Sequence, residues 1–566
     1  MLKQVQHDGK FWVIAFSLML AACATSAPIE QPPRVAPPPL EIIQILAIND
    51  FHGNIEPPKS PIELDGQQVH LGGAAHIAAK LQQLRKEGFP SVTVSAGDLI
   101  GASPLASAYF LDEPTILAMN SLGLDLNAVG NHEFDRGSDE LKRVQNGGCE
   151  THTTRRPCAV DPAFPGARFR FLAANVKDQS GQTIFPGTTI RQMGGMKVGF
   201  VGMTLKETAT LVSPAGVKGL TFDDEIQTAN EAARALTAEG AGTLVLLIHQ
   251  GARVKPTYNI SGCPGLEGAI LPIIDGIDPA YSVVVSGHTH YAYTCQRQVP
   301  GRDARRMLTS AGRYGYFATN IRLVWDPVAR SVNMLTAWNV PVTRDQSDAA
   351  VQQIVDRYAA AAAPAAARVV GTLAGPAPNN EYDDESEAAN LIADAQLAAT
   401  RSLGAQAGFM NGGGVRTGLT PDAQGRINYG QIFELQPFGN GLVVVELTGE
   451  QLKRVLEQQF ADESYSPGAR SRLLVPSANF EFDYDLSKPK GQRMIAMRLD
   501  GKTVNAGATY RVTVNNFLAS GGDGYSVLTE GKVIADGGLD LDALEAWLAK
   551  GQQVPKLGRT RNLAVQ

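Results

Sequence analysis

The chain is poor in cysteine: five in 566 residues, no two of them spaced C-x-x-C, which removes thiolate zinc patterns from consideration. It has no surplus of positive charge either. Lys and Arg number 50 against 56 Asp and Glu, a formal net charge of −6, and non-specific binding to a nucleic-acid polymer needs the opposite balance. A small charged substrate stays compatible, because a local positive site can sit inside an acidic protein. Aromatic residues make up only 7%, and no short internal repeat recurs. The apolar run "FWVIAFSLMLAA" at 11–22 falls short of the roughly 20 residues that span a bilayer. What is present is a normal globular balance, 44% apolar and 19% charged, over a length that implies two or more domains.

The start reads as an export leader, with Lys3 and Lys10 flanking the N-region, although Asp8 departs from the usual positive pattern. "LAAC" at 20–23 resembles the lipobox of bacterial lipoproteins, in which the Cys is lipidated and becomes the new N-terminus. The alternative is a plain cleaved signal peptide with Cys23 incidental. The lipoprotein reading makes 1–23 a signal peptide and Cys23 the lipidation site. It places the protein in the periplasm or at the cell surface, lipid-anchored to a bacterial membrane, with the outer membrane expected. Residues 24–40, "ATSAPIEQPPRVAPPPL", are rich in Pro and predict an extended tether. The four other cysteines are an even number in an exported chain, as two disulfides require. Cys149 with Cys158 closes the local loop "CETHTTRRPC", and Cys263 with Cys295 is the remaining pair.

From residue 41 short apolar, β-branched runs alternate with helical stretches: "EIIQILAI", a helix near "GGAAHIAAKLQQLRKEG", "SVTVSAGD", and later "KVGFVGM", "GTLVLLIHQG" and "YSVVVSGHTH". Runs this continuous predict strands buried on both faces, as in α/β architectures. The Ala-rich stretch 345–368 predicts a linker helix interrupted at Pro364, closing a first domain over 41–344. A second domain is expected over 369–560, with strands at "GLVVVELTG", "NFEFDYDL", "MIAMRLDG" and "YRVTVNNF".

The chemistry lies in the turns at the ends of the strands of the first domain. "IIQILAI" leads into "NDFHG" with Asp50 and His52, "SVTVS" into "AGDLIGASP" with Asp98, and "LNAV" into "GNHEFD" with Asn131, His132 and Asp135. "GTLVLLI" leads into "HQG" with His249, and "YSVVVS" into "GHTH" with His288 and His290. Ligands of α/β sheets bind at the carboxyl ends of strands. Imidazole, carboxylate and amide donors without thiolate suit Zn, Mn, Fe or a similar divalent ion. Even with His132 and Asp135 left aside, seven such donors are too many for one tetrahedral ion and right for two ions sharing a carboxylate.

"DFHG", "GDLIGASP", "GNHEFD", "HQG" and "GHTH", in this order, resemble the calcineurin-like metallophosphoesterases, and most closely their two-domain 5'-nucleotidase and UDP-sugar hydrolase family. The resemblance implies an N-terminal β-sandwich flanked by helices, a linker helix, and an α+β substrate-binding domain. It implies Asp50, His52 and His290 on one ion, Asn131, His249 and His288 on the other, and Asp98 bridging them. His132 and Asp135 resemble the catalytic pair, the imidazolium donating where charge develops and Asp135 orienting the ring. The implied reaction is phosphate release from nucleotides by a hydroxide held between two divalent ions. Glu133 and Phe134 read as structural, and His70, His76 and His152 as surface or structural residues outside the pattern. The sequon "NIS" at 259–261 carries no weight in a bacterial lipoprotein.

In the second domain "FMNGGGVRTGL" places Asn411 and Arg416 around glycines, and Arg suits bidentate phosphate contact. "QPFGNG" offers Phe438 and Asn440, and "NNFLASGGDGY" offers Phe517 and Asp523. The resemblance implies that the two Phe rings sandwich a nucleobase while the Asp and Asn residues contact sugar or base. The family's further phosphate-binding Arg before the "NLIADA" helix is missing. That region carries Asp383, Asp384, Glu385 and Glu387, acids expected to repel a phosphate. In-class alternatives are therefore a UDP-sugar diphosphatase or a 2',3'-cyclic nucleotide phosphodiesterase. Sulfur chemistry on a carrier protein is a third, which Phe438 and Phe517 disfavour. An alternative of another class is a non-catalytic surface binding lipoprotein. No partner beyond substrate and membrane is expected.

Overall fold

A computed structural model describes residues 39–301, 305–379, 385–460 and 473–565. The leader, Cys23, nearly all of the Pro-rich tether, and Asp383 and Asp384 lie outside the described residues.

The strand Glu41–Ile48 shows how the sheets are built. Its side chains alternate: Ile43, Ile45 and Ala47 point into one apolar cluster, Leu46 and Ile48 into another. Both faces are covered, which is why the run reads as continuously apolar rather than alternating. It sits inside a six-stranded sheet, in the order Ser331–Pro341, Phe317–Asp326, Glu41–Ile48, Ser91–Ser95, Leu126–Ala128, Arg170–Leu172. A second six-stranded sheet runs Ala292–Gln298, Arg305–Ala311, Tyr281–Ser286, Thr243–His249, Met196–Thr204, Thr188–Met193. The neighbours Glu41–Ile48, Ser91–Ser95 and Leu126–Ala128 pair in parallel, as do Met196–Thr204, Thr243–His249 and Tyr281–Ser286. Parallel pairing puts the carboxyl ends of all these strands at one edge of their sheet.

The sheets face each other across Ile43, Ile45, Val92 and Val94 on one side and Val198, Phe200, Val245, Val283 and Val285 on the other. Helices Ala74–Arg85, Glu113–Leu122 and Ala349–Ala366 cover the far face of the first sheet, and Glu225–Ala238 and Ile270–Gly276 that of the second. This is a sandwich flanked by helices. Its centre is fully excluded from water, so Phe200→Ala is expected to cost about 3–5 kcal/mol in urea unfolding. A loss below about 1 kcal/mol would mean that the facing sheets close over the gap.

The Ala-rich helix differs from expectation. It runs unbroken through Pro364 to Ala366, because the proline falls in the last turn, where Ala367 N–H still bonds to the Ala363 carbonyl at 2.9 Å and Arg368 N–H to that of Ala365 at 3.4 Å. Asp348 caps its start through Val351 N, and Val351, Val355, Tyr358 and Ala362 bury its apolar stripe in the first core.

The C-terminal part holds a five-stranded sheet, Leu474–Pro476, Ala407–Asn411, Thr509–Asn515, Gly441–Thr448, Lys532–Leu539, and a four-stranded one around Phe480–Tyr484. Leu105 and Ala108 of the N-terminal part share an apolar cluster with Val370, Ile392, Met410 and Ile432, so the seam between the two parts is dry. Cys149 pairs with Cys158 and Cys263 with Cys295. Among the described residues no helix is long and apolar enough to cross a membrane.

Candidate metal centre

The donors at the ends of the parallel strands converge where the two sheets meet. Asp50, His52, His249 and Asp98 are essentially inaccessible, Asn131 and His290 are buried, and His288 is half-buried. Asp50, His52 and His290 offer ligand atoms within 4.8 Å of one another, and so do Asp98, His249 and His288. Asp98 Oδ2 lies 2.9 Å from His249 Nε2 and 3.6 Å from His52 Nε2, so one carboxylate reaches both groups. Asn131 Oδ1 lies 3.1 Å from His288 Nδ1. Asp50, His52, Asp98, His288 and His290 all have φ between 46° and 70°. Left-handed backbone at non-glycine residues is strained, and five such positions in one cluster mark a site that the rest of the fold holds in place.

The donors fit cations better than they fit one another. His52 Nδ1 faces the Gly101 carbonyl at 2.9 Å and His249 Nδ1 the Ala96 carbonyl at 2.8 Å, so each Nδ1–H donates outward and each Nε2 lone pair points inward. His249 Nε2 then meets the Asp98 carboxylate without a well-directed hydrogen bond, and His52 Nε2 meets His290 Nε2 at 3.2 Å. Two imidazole nitrogens and a carboxylate oxygen drawn this close together in a buried pocket are what divalent ions between them would satisfy. The charge balance agrees. Burial pushes Asp50 up to about 7, and at His249 the nearby Asp98 outweighs burial and pushes the imidazole up to about 9. Both shifts mark a pocket short of positive charge.

The remainder of "GNHEFD" organises this centre. Glu133 accepts the backbone N–H groups of Asp98 (2.9 Å), Leu99 (2.8 Å) and Gly130 (2.6 Å), which clamps the Asp98 turn to the Asn131 turn. Phe134 fills the core below. His132 N–H donates to Asp98 Oδ1 at 2.9 Å, and its Nδ1 lies 2.9 Å from Asp135 Oδ2. Burial alone would depress the His132 imidazole, but Asp135 and Asp98 more than offset it and hold it above the ordinary value. Gly101, at φ 80°, passes directly against the His132 carbonyl, where a Cβ would collide with it.

From the C-terminal part, Phe438 stacks on the His132 ring at 5.7 Å and 22°. The Arg416 guanidinium lies 5.8 Å from the Phe438 centroid and has a buried Nη2 without a hydrogen-bond partner, a donor left for an anion. Asn411 Nδ2 donates to Asp523 Oδ2 at 2.7 Å and its Oδ1 accepts from Asn515 Nδ2 at 3.0 Å. Phe517 packs over Gly522 and on the C-terminal core, and Asp540 N–H donates to the Asn440 carbonyl. Of the four acids expected to repel a phosphate, the two described ones are engaged within the C-terminal part. Glu385 is occupied by the backbone N–H groups of Gly558, Arg559 and Thr560 and by Asn390 Nδ2, and Glu387 sits in the first helical turn, where a negative charge is favoured.

Two supports have no counterpart among the residues singled out from sequence. Asn49 donates to Asp50 Oδ2 at 2.6 Å, and its place beside Asp50 in "NDFHG" is a signal the sequence does carry. Asp112, paired with Arg136, accepts from Ser107 Oγ at 2.7 Å and borders the Gly101 loop, and nothing in the sequence marks it.

A model of the calcineurin-like phosphoesterase family matches residues 43–292, and one of the 5'-nucleotidase C-terminal domain matches residues 369–530. The chain is 30% identical over 486 residues to endonuclease YhcR of Bacillus subtilis, covering 84% of this chain but only 37% of that longer protein. It is 26% identical over 565 residues to a probable 5'-nucleotidase of Treponema pallidum, covering 86% and 88% of the two chains. A crystal structure of a 5'-nucleotidase precursor from Thermus thermophilus shares the fold, with TM-score 0.76 and 24% identity over 92% of this chain and 99% of that one.

Proposed function

The chain belongs to the calcineurin-like phosphoesterases that carry a 5'-nucleotidase C-terminal domain, and from that premise we propose that it releases phosphate from nucleotides outside the cytoplasm. One observation carries the reading: Asp98 Oδ2 lies within reach of both histidine groups while His132, on the same turn as Asn131, touches the C-terminal Phe438. Asp50, His52 and His290 would hold one divalent ion, and Asn131, His249 and His288 a second, with Asp98 shared. Such a pair supplies Lewis acidity and an activated water to phosphoryl transfer. Arg416 binds a phosphoryl oxygen through the donor it holds in reserve. His132, whose imidazole Asp135 and Asp98 hold above its ordinary pKa, gives its proton to the leaving oxygen as the phosphorus bond breaks. Phe438 offers an aromatic face to the leaving nucleoside, with Phe517, Asn411, Asn440 and Asp523 completing the substrate side.

The test is phosphate release by the chain lacking residues 1–23 from AMP, UDP-glucose, 2',3'-cyclic AMP and bis(p-nitrophenyl) phosphate, with Mn²⁺ or Zn²⁺ and again with chelator. Chelator-sensitive release from AMP is expected. Turnover of only the diphosphate or the diesters would move the substrate class, and two bound ions without turnover would favour a binding protein. The "LAAC" motif supports lipid anchoring at Cys23. Cys23→Ala is expected to shift the full chain from the membrane pellet to the soluble fraction, and an unchanged pellet would remove the anchor.

A further inference from the structure

The loop closed by Cys149 and Cys158 has no part in the centre described above, yet its contacts lead there. Its base is fixed to the N-terminal part. Cys158 N–H donates to Glu113 Oε1 at 3.0 Å, and Arg143 donates to the same oxygen at 3.0 Å and to the Gly148 carbonyl at 2.8 Å. Arg143 also pairs with Glu140, and all three of these charged side chains are at most 3% exposed, which makes the base rigid. Its tip faces the other side of the seam. The Arg155 guanidinium lies 4.9 Å from the Tyr109 ring centroid and 5.7 Å from that of Phe433, on the C-terminal helix Tyr429–Leu435. Just beyond the loop, Asp161 accepts from Tyr358 Oη at 2.9 Å and Arg357 at 3.0 Å, on the helix Ala349–Ala366.

Helix Tyr429–Leu435 is three residues from Phe438, the ring stacked on His132, and its Leu435 carbonyl accepts from Arg416 N–H at 3.0 Å. We propose that Arg155 is a positioning residue: the disulfide-closed loop is a strap across the seam that sets, through Phe433 and its helix, where Phe438 and Arg416 meet the substrate. The geometry makes this demand on the bond. A guanidinium grips two rings only while its backbone is held, and the disulfide removes the freedom that would let an exposed loop swing away. The strap thus governs binding of the substrate's nucleoside and phosphate ends, while His132 is held by its own contacts to Asp98 and Asp135.

For the nucleotide it names, the inference rests on the proposed function. Arg155→Ala is expected to raise KM for the best substrate roughly 3- to 10-fold, with kcat and Tm little changed. Arg155→Lys, which keeps a cation over the rings, is expected to restore part of the loss, and the exposed neighbour Arg156→Ala to leave both constants alone. The double change Cys149→Ser and Cys158→Ser is expected to move KM in the same direction, whereas Cys263→Ser with Cys295→Ser is not. Hydrogen–deuterium exchange over residues 429–438 reads the strap without any substrate and is expected to quicken in Arg155→Ala. An active protein whose KM and exchange both ignore Arg155→Ala overturns the strap. A protein that hydrolyses no phosphate ester but shows the quickened exchange overturns the functional reading alone.

Discussion

Asp98→Ala is expected to strip the centre of bound metal and take turnover to the uncatalysed background. Among the described residues Asp98 is the one carboxylate shared by groups that contain His52 and His249, with Oδ2 facing His249 and His52 and Oδ1 fixed by His132 N–H. Its charge is held by the rings around it: burial disfavours the Asp98 carboxylate, yet His249, His132 and His52 hold its carboxyl well below the ordinary range. Removing it leaves imidazoles and an amide alone to hold an ion on the His249 side, since the other two groups there are Asn131 and His288. Loss of an outer partner of a metal ligand typically costs about 10–100-fold in affinity, and loss of a shared ligand should exceed that. Elemental analysis after dialysis checks it. Two ions retained per chain would mean that Asp98 supports the turn rather than the metals.

The second large effect separates chemistry from metal binding. His132→Ala should keep its metal content while kcat falls roughly 10²-fold or more, the range of a lost general acid. The pH profile carries the sign. His132 stands above its ordinary pKa, so its donor form persists as pH rises and is lost only on passing the raised value. Asp135 and Asp98 are the causes that raise it, and Asp135→Asn should therefore draw the alkaline limb of kcat to lower pH without changing metal content. An alkaline limb that stays put in Asp135→Asn, or metal lost in His132→Ala, would show that the pair serves the structure of the turn.

These two expectations treat one short turn as three separable functions, and the packing shows why it can be. Asn131 faces His288, His132 faces Phe438, and Glu133 turns inward to gather the backbone of its neighbours. Adjacent side chains in a tight 3₁₀ turn point in different directions, so a few residues can serve metal, substrate and scaffold at once.

Much of this protein was legible because its signals are local. A continuous β-branched run specifies a strand covered on both faces, and a polar turn after it specifies a strand end, so Glu41–Ile48, its neighbours and the turns that carry the candidate donors could be read from short stretches, while the sandwich was implied only by the family resemblance. An even set of cysteines, in a chain whose start reads as an export leader, likewise suggested its pairs from sequence. The tertiary structure decided what depends on residues far apart in sequence. It set the distances of Asp98 from His52 and His249, where the family resemblance implied only a bridge, carried the Ala-rich helix past Pro364 into the first core, and turned Glu385 toward the backbone at 558–560. It alone brought Arg155 between Tyr109 and Phe433. No periodicity or turn preference encodes such meetings, because their energy comes from burial and charge shared between segments that only the folded chain makes neighbours.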